Sequence, residues 1–186
     1  MLKGVLNYAH YLLEESIEKG EKVIDATCGN GNDTLFLSNI VGEHGHVYAF
    51  DLQEQAIAST RKALISYQRT NVSLIHDSHA QIGDYIKKTE IGGAIFNLGY
   101  LPKSDKSIIT KAESTVTAID SILTLLKKGG LVVLVVYYGH KGGKDEKKSL
   151  LAYLLQLDQK EYNVLRYGFI NQKNDPPFIL AIEKKI

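Results

Sequence analysis

Cys28 is the chain's single cysteine. That excludes an intramolecular disulfide and suits a reducing compartment. No apolar run approaches the roughly 18 residues that a membrane span needs. The segment Met1–Tyr8 lacks the apolar centre of a secretion signal, so a cytoplasmic location without a membrane partner is expected. An excess of one charge is missing too: 22 Lys and Arg stand against 21 Asp and Glu, a net charge of +1. Proteins that hold nucleic acid non-specifically are usually far more basic, so any such contact must use a local patch. Internal repeats, low-complexity stretches and linkers are absent as well. With 186 residues, 44% of them hydrophobic and 23% charged, the chain is expected to form one domain, 1–186, with a core that needs no staples.

What is present is alternation. Helix-like stretches over 6–19, 33–40, 54–68, 80–88, 110–127 and 145–158 separate strand-like runs over 23–27, 46–51, 72–76, 92–97 and 131–137. Two further strands follow, over 162–169 and 178–183. Such alternation implies an α/β fold whose mostly parallel sheet carries helices on both faces. Only Ile170 to Pro177 separates the last two strands. That is too short for a helical crossover, so an antiparallel C-terminal hairpin should close a seven-stranded sheet.

In an open parallel sheet, ligands bind outside the carboxyl ends of the strands, and four signals fall at those ends. The first is Asp25-Ala26-Thr27-Cys28-Gly29-Asn30-Gly31-Asn32, where glycines let backbone approach a ligand and the following helix offers free N–H groups. The second is Asp51, which can accept both hydroxyls of a ribose, with Gln53 nearby. The third is Asp77-Ser78-His79, placed to read an adenine amino group, and the fourth is Asn97. A pyrophosphate would be repelled by Asp25. S-adenosylmethionine has no phosphate and carries a sulfonium and an ammonium, which suit that acid. Each signal has a plainer reading, the glycines as a structural turn and Asp51, Asp77 or Ser78 as helix caps; their joint order at strand ends favours a cofactor site.

Carbon methylation of a pyrimidine needs a cysteine nucleophile after the fourth strand. None stands there, and Cys28 reads as a small buried residue of the turn. A nitrogen or oxygen acceptor is therefore expected. Asn97-Leu98-Gly99-Tyr100 looks like a variant of the Asn-Pro-Pro-Tyr motif of amino-methyltransferases, in which the Asn oxygen accepts from the acceptor amine and the ring stacks. Leu98-Gly99 replaces the two prolines, which leaves room for a flexible aliphatic amine. Asn174-Asp175-Pro176-Pro177-Phe178 imitates the motif with an insertion, but lies in the closing hairpin and reads as a rigid turn. The stretch 137–148, with Tyr138, His140, Lys141 and Lys144, combines rings, glycines and lysines as a loop for RNA would. Lys103 and Asp105 sit in the neighbouring loop. No metal ion is expected.

The first three signals match the opening motifs of class I S-adenosylmethionine-dependent methyltransferases, with a Rossmann-like fold. The wording at 25–34, 97–102 (Asn-Leu-Gly-Tyr-Leu-Pro) and 137–140 (Tyr-Tyr-Gly-His) resembles, more narrowly, a bacterial family labelled rRNA methylases. Members of that family are similar to the tRNA (5-aminomethyl-2-thiouridine-34) methyltransferases of Gram-positive bacteria. The resemblance implies a tRNA anticodon partner, methylation of the aminomethyl nitrogen at the wobble uridine, and a homodimer. The amine must lose a proton before attack, and His140, His79 or Asp105 could assist. A small-molecule or rRNA methyltransferase and a nicotinamide-type binding domain stay open as alternatives.

Overall fold

The apolar runs become the strands of one sheet in the computed structural model, which describes residues 1–99 and 111–186. β1 (Lys22–Asp25), β2 (His46–Asp51), β3 (Val72–His76), β4 (Ile91–Leu98), β5 (Leu126–Val136), β6 (Tyr162–Tyr167) and β7 (Phe178–Lys184) stand in the order β3-β2-β1-β4-β5-β7-β6. The first five are parallel, and β7 runs antiparallel to both β5 and β6. The chain moves outward from β1 to β3, then crosses back to β4 on the other side of β1. That reversal opens a crevice at the carboxyl ends of β1 and β4.

The helices α1 (Val5–Ser16), α2 (Asn32–Val41), α3 (Glu54–Ser66), α4 (Ile82–Tyr85), α5 (Ala112–Leu125) and α6 (Gly143–Leu154) cover both faces. Strand side chains alternate between the two layers. Val23, Val47, Ile95 and Val133 pack with Ala9, Leu13, Leu37 and Ile57 of α1–α3. Ile24, Phe50, Phe96 and Leu134 pack with Ile82, Ile119, Ile122 and Leu150 of α4–α6. Central strands buried on both faces need continuous apolar sequence, which is why Ala94–Phe96 of β4 and Leu131–Val136 of β5 read as hydrophobic runs.

Three expected segments differ. The helix expected over 80–88 is a single 3-10 turn, His79–Gln81, followed by the one-turn α4; Gly83 weakens it, and Lys88 takes a φ of 54° that no helix continues. β5 starts at Leu126, before the expected Leu131, with a register break where it meets β4. The expected loop 137–148 is half helix, since α6 begins at Gly143. A Cβ on Gly143 would lie 2.7 Å from the Tyr138 carbonyl oxygen, so this glycine serves close packing where mobility was expected. Among the described residues no helix is long and apolar enough to cross a membrane, and no group of His, Cys, Asp and Glu is placed to hold a metal ion.

Candidate functional site

A cleft of about 680 Å³ opens at the crevice, lined from the ends of β1, β2, β4 and β5 and by the turn after β3. Backbone geometry fixes its floor. Cys28 N–H donates to the Phe50 carbonyl at 2.8 Å, and Gly31 N–H closes the turn onto the Cys28 carbonyl at 2.8 Å. Thr60 Oγ1 of α3 donates to the Gly29 carbonyl at 3.1 Å. Gly31 has a φ of +86°, and a Cβ there would stand 3.1 Å from the Thr60 backbone. Only glycine lets α3 and the turn meet so closely.

Asp51 joins this turn to the end of β2. Its Oδ2 accepts from Gly29 N–H at 3.0 Å and its Oδ1 from Gln53 N–H at 2.9 Å. Burial raises its pKa, and those two amides oppose the rise. Each oxygen keeps a second lone pair for a ligand. Asp77 accepts from Ser78 N–H at 2.7 Å and from the Tyr85 hydroxyl at 2.9 Å. His79 is 7% exposed. Its Nδ1 faces the Ala26 carbonyl at 3.2 Å, and a carbonyl only accepts, so Nδ1 carries the hydrogen. That leaves Nε2 as a buried acceptor with no partner among the described residues. Burial lowers the imidazole's pKa and keeps it neutral.

Of the residues expected to hold a cofactor, Cys28, Gly29, Asn30, Asn32, Asp51, Gln53, Asp77, Ser78, His79 and Asn97 line the cleft. Gly31 and Asp25 do not. Asp25 is fully buried, and both of its oxygens are engaged, by Thr27 N–H at 3.2 Å and by the Thr34 hydroxyl at 2.6 Å. Loss of water, then the Asp33 charge, push its carboxyl up to about 8. Asp25, expected to suit the cationic cargo, thus braces the turn from outside the cleft lining. Cys28 is buried as expected, and burial raises its thiol pKa.

At the other end of the cleft, Asn97 N–H donates to Thr27 Oγ1 at 2.7 Å, and its side-chain Nδ2 donates to Asp33 Oδ2. Asp33 Oδ1 lies 2.7 Å from His10 Nε2. The His10 ring stacks on Phe36, with centroids 3.7 Å apart and planes at 10°. His10, Asp33, Lys111 and Tyr137 also line the cleft, and the sequence did not single them out. His10 lies 23 positions before Asp33, and Asn97 lies 64 after it. The one available signal was an acid in the first turn of α2, which looks like any helix-start residue.

The lining ring after β5 is Tyr137. Tyr138 points to the opposite face, 5.7 Å from Phe178 between ring centroids, with Lys147 Nζ 3.8 Å above it. Strand alternation thus sends Tyr138, expected against RNA, to partly buried packing outside the cleft lining. His140 lies outside the lining, with Nδ1 3.1 Å from the Lys141 carbonyl. Lys141 is exposed, and Lys144 Nζ reaches Asp175 at 3.8 Å, in the Asn174–Phe178 turn. Tyr100, Lys103 and Asp105 lie outside the described residues.

Residues 47–183 match the family described as Putative rRNA methylase. The chain belongs to that family. A shorter stretch, 5–83, matches the protein-L-isoaspartate O-methyltransferase family. The methylase is 36% identical to the chloroplastic tRNA (mnm(5)s(2)U34)-methyltransferase of Arabidopsis thaliana, over 98% of this chain and 70% of that one. It superposes on the crystal structure of a putative rRNA-methylase from Clostridium thermocellum with a TM-score of 0.97, at 43% identity over 99% of both chains. A putative methyltransferase from Streptococcus mutans, in complex with SAH, gives a TM-score of 0.92 at 44% identity, again over 99% of both chains. The protein is thus an S-adenosylmethionine-dependent methyltransferase. Its cleft fits that cofactor: Asp51 offers free lone pairs, His79 Nε2 is a buried acceptor, and among the described residues no cationic cluster lines the glycine turn to attract a pyrophosphate.

Proposed function

We propose that the methylase N-methylates the 5-aminomethyl group of 2-thiouridine at tRNA position 34, giving 5-methylaminomethyl-2-thiouridine. The observation that carries this reading is the orientation of Asn97. A carboxylate only accepts, so the Asn97 amide gives Nδ2 to Asp33 and keeps Oδ1 as the acceptor for a substrate N–H. An Asn oxygen at this strand end, without the rigid prolines that flatten a base amine, suits a flexible aliphatic amine. The likeness to the Arabidopsis protein supports the same acceptor.

S-adenosylmethionine, when bound, supplies a methyl group on a cationic sulfur. Asp51 and Gln53 would hold the ribose. Asp77, Ser78 and His79 would frame the adenine, with His79 Nε2 accepting from its amino group. The turn Cys28–Asn32 would hold the methionine end. Asn97 then positions the acceptor nitrogen, and proximity supplies much of the rate. Tyr100, Lys103, Asp105, Tyr137, His140, Lys141 and Lys144 are proposed to surround the RNA. The working unit is taken to be a cytoplasmic homodimer, which sedimentation at micromolar concentration checks.

The test incubates the protein with labelled S-adenosylmethionine and tRNA that lacks only the final wobble methyl, followed by nucleoside analysis. Label should appear in 5-methylaminomethyl-2-thiouridine. Label in ribosomal RNA, at another tRNA position, or in small amines without RNA would replace this reading by the corresponding acceptor.

A further inference from the structure

We infer that Asp33 sets the class of acceptor the cleft takes, a basic aliphatic amine that stays charged after methylation, and that His10 is the positioning residue that holds Asp33 in place. This deepens the acceptor reading above and rests on it. An acid in the first turn of a helix is favoured by the helix dipole alone. That explains an acid at position 33 but not its partners. Asp33 bridges two other elements, α1 through His10 and β4 through Asn97. Its side chain is only 12% exposed, and it lines the cleft beside Asn97. A fixed acceptor oxygen and a negative charge therefore stand side by side where the sequence motif places the substrate nitrogen.

The chemistry needs both. The substrate ammonium first gives a proton to water. The free lone pair then forms the N–C bond, the C–S electron pair stays on sulfur, and the positive charge passes from sulfur to nitrogen. An exocyclic base amine discharges that charge by losing a further proton. An aliphatic amine, with a pKa near the ~10.4 of lysine, keeps it. A carboxylate held beside the nitrogen stabilises the charge as it grows, and because it is preorganised it need not reorient during the reaction. Among the described residues, the cleft's other charged and titratable groups include Asp51, Asp77 and His79 at the cofactor end, Tyr137 from the end of β5 and Lys111 before α5, with Asp25 buried at the turn. Asp51 and Asp77 are engaged by turn amides and assigned above to the cofactor, and neither Tyr137 nor Lys111 supplies a negative carboxylate. His10 fixes Asp33 from α1: its ring is clamped on Phe36 and its Nε2 engages the oxygen that Asn97 leaves free.

The experiment uses the full chain, SAH titration by calorimetry and single-turnover methylation of the same tRNA. Asp33→Asn keeps the size and can still accept from Asn97, but removes the charge. SAH and tRNA affinities should stay within about threefold, while the transfer rate falls on the order of 100-fold. Asp33→Glu, which keeps the charge on a longer arm, should recover part of that rate. His10→Gln should cost about tenfold, and its loss should vanish in the Asp33→Asn background, because it acts through Asp33. Additive losses would make His10 merely structural and overturn its part. An Asp33→Asn protein with an unaltered rate, equal losses in Asn and Glu, or SAH affinity lost in step with the rate would overturn the assignment; the last would place Asp33 against the cofactor's own ammonium. If the unaltered protein leaves this tRNA unmethylated, the acceptor reading itself falls and this inference with it. The two failures are therefore distinguishable.

Discussion

At Asp25, burial outweighs local hydrogen bonding. The Thr34 hydroxyl and the Thr27 amide favour the ionised form, yet loss of water and the Asp33 charge bring the carboxyl from an ordinary 3.8 to about 8. Between those values the folded state holds a proton that the unfolded chain has released. The stability that Asp25 contributes is fully present below about pH 4 and is lost as pH rises through about 8, by up to ~1.4 kcal/mol per pH unit. His79, kept neutral by burial, works in the opposite sense, and its contribution has levelled off above its ordinary value of 6.5. The melting temperature of the unliganded protein should therefore fall from pH 6.5 to 8, and Asp25→Asn should flatten that fall. A flat wild-type profile would refute a protonated Asp25. A cationic cofactor favours the ionised form, so binding near pH 7.5 should release part of a proton. Calorimetry in two buffers of different ionisation heat would read that release directly.

Among elements, the strands were legible because each needs an apolar run to fill one layer or both. The closing hairpin was legible because Ile170 to Pro177 cannot hold a crossover helix. What the sequence hid depends on direction and distance. Period-two alternation continues past β5, so Tyr137 lines the cleft and Tyr138 packs on Phe178. The glycines at 142 and 143 suggest mobility, but they start α6, Gly142 with a φ of 84°. His10, Asp33 and Asn97 come together from three elements, and no local pattern announces such a meeting. Two substitutions separate these roles. Tyr138→Ala should lower stability by about 1–3 kcal/mol through lost packing, with SAH and tRNA affinities unchanged. Asp51→Ala, at the junction of two turns, should weaken SAH binding by about 1–3 kcal/mol. Denaturant melts and calorimetry read the two, and an unchanged SAH affinity would remove Asp51 from the ribose.

For the whole molecule, a net charge of +1 and a cleft carrying Asp33, Asp51 and Asp77 together mean that RNA is not drawn in by a general field. The acidic cleft suits a cationic methyl donor and an amine, and it disfavours phosphate. In the proposed RNA complex, backbone phosphates would meet lysines at the rim, where Lys111 lines the cleft and Lys141 and Lys144 follow Tyr137. The bond from Lys144 to Asp175 is exposed and worth little, so that lysine is available to a phosphate. With about three such contacts to a single-stranded loop, the log of tRNA affinity should fall with log salt at a slope near −2, since each contributes about −0.7. Between 50 and 200 mM salt that amounts to a loss of roughly ten- to twentyfold. Lys141→Ala and Lys144→Ala should each make the slope shallower by about 0.7, while SAH affinity stays nearly independent of salt. A slope that neither substitution changes would place the RNA on another face, and a slope near zero would mean that the acceptor is not RNA.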